Sequence, residues 1–87
     1  MKIRIRGAKV RLRLRRLRTD QGVAGEGGRG ISVDRRLWPR RKADALIHEM
    51  LHVAQPDLSE EAVDEIAADL AAALCRVFRL KPRRRLK

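Results

Sequence analysis

Two histidines and a glutamate carry the clearest chemistry in this sequence: His48-Glu49-Met50-Leu51-His52. In a helix, residues four apart lie one turn above each other. Both imidazoles then point the same way and can share one tetrahedral Zn²⁺. Glu49 follows the first histidine directly, and its carboxylate can take a proton from a water that zinc has brought to a pKa of about 7. His48 and His52 are the only histidines in the chain. The spacing therefore predicts one zinc ion, held by His48 and His52, with Glu49 as the base of a hydrolysis.

A catalytic zinc needs a third protein ligand and an open position. The acidic run Asp57-Leu58-Ser59-Glu60-Glu61-Ala62-Val63-Asp64-Glu65 holds the candidates. At 100° per residue, Glu60 falls at the edge of the apolar face of a helix beginning there, with Asp64 one turn later on the same side. Glu61 and Glu65 point toward solvent. Glu60 is the choice for third ligand and Asp64 for a carboxylate behind a histidine. Glu61 and Asp57 are the alternatives.

The motif must sit on a helix. Pro39 suits a first helical turn and Pro56 ends the pattern, so a helix over about 39–54 is expected. Ile47, Met50, Leu51 and Ala54 should form its apolar stripe, with Ala43 one turn earlier and Ala45 beside the histidines. A second helix is expected from near Ser59 to about Leu80, capped by Asp57 or Ser59 and stopped by Pro82. Val63, Ile66, Ala67, Leu70, Leu74 and Val77 share one face at helical spacing. Upstream, residues 2–6 and 10–15 alternate apolar with Arg or Lys and read as half-buried strands. Residues 7–9 form either a turn between them or a bulge. Residues 31–34 make a short third strand candidate. Residues 19–30, with five glycines, read as a loop lacking the ending of a P-loop. The expected class is α+β: a small antiparallel sheet of two or three strands, then two packed helices on one of its faces.

The chain has 87 residues, which allows one domain, residues 1–87, with a basic tail at 82–87. Its net charge of +11 raises the expectation of an acidic partner, nucleic acid above all, met through the Arg-bearing strand face. With aromatic residues at 2%, base stacking has little to work with. One cysteine, Cys75, excludes an intrachain disulfide and fits a reducing compartment. No apolar run is long enough for a signal peptide or a membrane span, so a cytoplasmic protein is expected.

The segment from about residue 31 to 80 resembles the zincin metallopeptidases, and among them the very small bacterial and phage proteins of the SprT-like and ImmA-like kind. The resemblance rests on the strand at 31–34, the apolar approach Asp44-Ala45-Leu46-Ile47, the motif 48–52, and the acidic helix start at 56–61. It implies a minimal zincin-like fold and zinc-dependent hydrolysis of a peptide or protein substrate. In zincins the short strand runs beside the motif helix and can pair with an extended substrate. In the glutamate-ligand branch the third ligand comes from the next helix, often with an acidic residue four positions later, a spacing that Glu60 and Asp64 match. The sequence departs from the family in a short gap between His52 and Glu60, and in lacking a third histidine, a Met-turn and any tyrosine. The competing expectations are a basic nucleic-acid-binding module and a structural or inactive zinc domain.

Overall fold

A computed structural model describes residues 1–17, 22–24 and 30–79. The expected basic tail at 82–87 and most of the glycine-rich segment lie outside these residues, and the second helix, expected to run to about Leu80, ends at Phe78 with Arg79 as its C-cap. The described elements are β1 (Lys2–Ile5), β2 (Ala8–Arg15), β3 (Gly22–Ala24), β4 (Gly30–Asp34), α1 (Pro39–Ala54) and α2 (Glu60–Phe78). The fold is α+β, as the order of patterns predicts.

The alternation of Ile and Arg in β1 and β2 works as a hairpin. Arg6 and Gly7 form the two-residue turn, both at positive φ (50° and 82°), and Ile5 pairs with Ala8 across it. Two positive φ values match the right-handed twist of the strands, at the cost of an arginine in a conformation glycine or asparagine adopts more readily. Residues 7–9 are thus neither wholly turn nor bulge.

The sheet order is β1-β2-β4-β3. This corrects the expected sheet in two ways. The described residues form four strands, because Gly22–Ala24 pairs antiparallel with β4 inside the segment read as a loop. The sheet is also mixed, because β2 and β4 run parallel, Leu12 beside Ile31 and Leu14 beside Val33. Residues 31–33 are consequently paired on both sides, so this part of β4 has no free edge for a substrate. The edge beyond β4 belongs to β3.

One face of the sheet holds the core. Ile5, Val10, Leu12, Ile31 and Val33 are buried there with Ala45 of α1, and Leu37, Leu46, Met50, Val53 and Ala54 pack around them. Each fully buried Ile or Val contributes roughly 1.5–3 kcal/mol. Met50 and Ala54 belong to the expected stripe of α1, whereas Leu46 and Val53 take the core positions given to Ile47 and Leu51. Ala45 lies in the core, where its small side chain lets the helix approach the sheet.

The second helix does not lie on the sheet: of the described elements it packs on α1 alone, as a third layer. Its buried side chains are Val63, Ala67, Ala71 and Cys75. Ile66, Leu70, Leu74 and Val77, expected on its buried face, are exposed. A helix that meets only one other helix needs a narrow stripe of small residues at four-residue spacing, and Ala67, Ala71 and Cys75 supply it.

Asp34 fastens the turn into α1. Its carboxylate accepts hydrogen bonds from the backbone N–H of Leu17 (3.3 Å) and of Arg36 (2.9 Å), and it meets the Arg36 guanidinium at 2.9 Å. The same guanidinium donates to the Leu17 carbonyl at 2.8 Å. The end of β2, the end of β4 and the approach to α1 are tied at one point.

Candidate metal centre

The first helix begins on Pro39 and closes with Gln55 donating its N–H to the Leu51 carbonyl. This holds residues 48–52 in regular helix, with both histidines on the side facing the start of α2. The Ser59 hydroxyl accepts from the N–H of Ala62 at 3.1 Å and so caps α2. That cap makes Glu60 the first helical residue and puts Asp64 one turn further along. Acidic residues in this turn also suit the positive end of the helix.

The side chains meet across the α1–α2 junction. His48 Nε2 lies 2.9 Å from Glu60 Oε1. His52 Nε2 lies 3.1 Å from His48 Nε2 and 3.2 Å from Glu60 Oε2. The two rings stand edge to face, 4.7 Å apart between centroids. His48 Nδ1 is 3.2 Å from Asp64 Oδ1. One ligand atom from each of His48, His52 and Glu60 lies within 4.8 Å of the others.

The chemistry of this donor set fits a cation. Zinc with bonds of about 2.0–2.1 Å in a tetrahedron holds neighbouring donors about 3.3 Å apart, close to the three separations here. With its proton on Nδ1, His48 would donate that N–H to Asp64 Oδ1, which would leave the Nε2 lone pair aimed at the carboxylate of Glu60 and at the second imidazole. Three acceptors turned to one point repel each other unless a proton or a metal stands between them. Asp64 then has the position of the carboxylate that orients a ligating histidine. Glu61 and Asp57 are exposed and do not enter the group.

Glu49, half-buried, faces the sheet side of α1. A Cβ on Gly22 would stand 2.9 Å from Glu49 Cγ and 3.1 Å from its Oε2. The carboxylate therefore rests against the backbone of the edge strand, one residue from a ligand histidine. Gly22 is a site residue that sequence reading missed. It was legible only as one glycine among several, because nothing in the chain order says that β3 lies beside α1.

No family model, curated protein or solved structure matches the chain. Among the described residues no helix is long and apolar enough to cross a membrane.

Proposed function

We propose that the chain binds one zinc ion through His48, His52 and Glu60 and hydrolyses peptide bonds with Glu49 as the base. The observation that supports this most is the convergence of those three donors across α1 and α2, with Asp64 behind His48. Among the described residues the donors number three rather than four, and a set of three leaves a coordination position free, as a catalytic site requires. Bound there, zinc supplies a Lewis acid for the scissile carbonyl and an acidified water.

The rest falls to the chain's own groups. Glu49 takes a proton at its carboxylate and returns it to the amine nitrogen as the peptide bond breaks. The outer edge of β3 pairs with no other described strand, so its backbone N–H and C=O groups can accept an extended peptide as a further strand. Such a peptide would run past Gly22, where Glu49 lies. A lone cysteine, buried between the helices, fits work in the reducing cytoplasm.

The test measures zinc content and cleavage of an unfolded protein in three forms of the chain. One zinc per chain is expected in the parent and in Glu49→Gln, and none in His48→Ala. Cleavage should survive only in the parent. A parent that binds no zinc, or a Glu49→Gln variant that cleaves at the parent's rate, overturns the reading.

A further inference from the structure

The sheet has a second face, turned away from α1, and strand register gathers one sign of charge on it. Lys2 and Arg4 of β1 and Lys9, Arg11, Arg13 and Arg15 of β2 alternate with the core-facing residues, and all six are exposed. Lys2 stands directly across from Arg11, and Arg4 across from Lys9. Next along the sheet, Gly30 and Ser32 of β4 lie beside Arg11 and Arg13 and add no bulk. Among the described residues of these strands the one acid is Asp34, beside Arg15, and its carboxylate is committed to Arg36 and Leu17. Among the described residues none of the six cations pairs with a carboxylate.

Like charges placed directly opposite each other on a sheet destabilise it. The cations nevertheless occupy a rigid place: β2 is hydrogen-bonded on both edges, to β1 and to β4. Side chains two apart on a strand stand about 6.7 Å from each other, and neighbouring strands about 4.8 Å. The result is two adjacent rows of cations, two on β1 and four on β2, with regular spacing along each strand. Four of the six are arginines, whose forked guanidinium suits phosphate oxygens.

We propose that this outer sheet face binds the phosphate backbone of double-stranded nucleic acid without reading its sequence. A periodic polyanion matches a periodic row of cations better than an acidic peptide does. On β1, β2 and β4 the face carries no apolar side chain to enter a lipid surface. No aromatic side chain stands on those strands to stack bases, which directs the face to a duplex rather than a single strand. The interaction goes beyond the proposed hydrolysis and does not depend on the metal.

The test is a salt titration of binding to a fluorescent duplex of about 20 base pairs, with and without zinc. Five to six phosphate contacts give a slope of log K against log salt of about −4.5 to −5.4, a loss of about 500- to 2000-fold between 50 and 200 mM salt. Replacing Arg11, Arg13 and Arg15 by Gln together should flatten the slope by about 3 and leave zinc binding intact. Replacing the exposed Arg40, Arg41 and Arg76 by Gln removes the same charge elsewhere and should leave the slope within about 1 of the parent. Equal slopes in the two triple variants would show net charge alone at work and overturn the proposal. So would tighter binding to a single strand of the same length, or to phosphatidylserine vesicles, than to the duplex.

Discussion

Replacing Asp64 by Asn tests whether the α1–α2 junction is built for a metal. Asp64 Oδ1 lies 3.2 Å from His48 Nδ1, on the far side of the ring from the three converging donors. The distance from this carboxylate to a cation among them is roughly 7 Å, adding the ring and one zinc–nitrogen bond to that contact. As a bare charge at that distance in water, screened at physiological ionic strength, it would strengthen zinc binding only about twofold. As a group that fixes the tautomer and orientation of a ligating imidazole it is worth about 10- to 100-fold. The two contributions can be separated, because Glu61 is exposed, carries the same charge and touches none of the donors. Competition against a zinc indicator should show Asp64→Asn weakened about 10- to 100-fold and Glu61→Gln no more than about threefold. If the two variants weaken zinc equally, Asp64 acts only as surface charge and the carboxylate–histidine–metal arrangement is wrong.

Two further outcomes follow from side chains that touch the site or its support. Gly22→Ala puts a Cβ within 2.9 Å of Glu49 Cγ, so the glutamate must turn away while the ligands stay. Cleavage should fall about 10- to 100-fold, zinc affinity should hold, and the rotamer change should cost only about 0.5–1.5 kcal/mol of stability; unchanged kcat/KM would remove Glu49 from the reaction or Gly22 from its positioning. Hydrogen bonds from Arg36 and Leu17 hold the Asp34 carboxyl well below the usual carboxylate range. A lowered folded-state pKa means that its stabilisation is complete above the ordinary carboxylate pKa of about 3.9 and is lost as pH falls below it. Asp34→Asn should therefore lower the urea midpoint at neutral pH and flatten its decline in acid; parallel pH profiles for the two proteins would rule out the clip.

The bounds of α1 are legible because prolines at 39 and 56 mark both ends, and the cap on Ser59 likewise sets the start of α2. Those bounds already place His48, His52, Glu60 and Asp64 on facing turns. Other features have no local signal. Gly22-Val23-Ala24 is too short to show a period, and what makes it a strand is the free edge of β4. Alternation in β2 and β4 shows which side chains are inward but is the same for parallel and antiparallel neighbours. The apolar face of α2 misleads in another way. Its largest residues suggest a broad face on a sheet, while the actual partner is one helix, which takes the small residues and leaves Leu70 at 45% exposure. Leu14, in step with Val10 and Leu12 but 46% exposed, lies beyond the core.

These positions would give a cation at the candidate site a second consequence. Because α2 touches only α1 among the described elements, its attachment there rests on Val63, Ala67, Ala71, Cys75 and the polar contacts at its first turn. Three of those four buried side chains are small, so the apolar area they bury is modest. Without a cation, the first turn brings two carboxylates, Glu60 and Asp64, against two imidazoles, and only hydrogen bonds join the two helices there. With one, the same atoms become a bridge between the helices, and the free energy of binding it becomes free energy of folding. A catalytic reading and a structural one therefore do not compete for His48, His52 and Glu60. Both helices must be docked for the three donors to meet, so the ion that would supply the chemistry would also hold α2 in the place where the chemistry is possible.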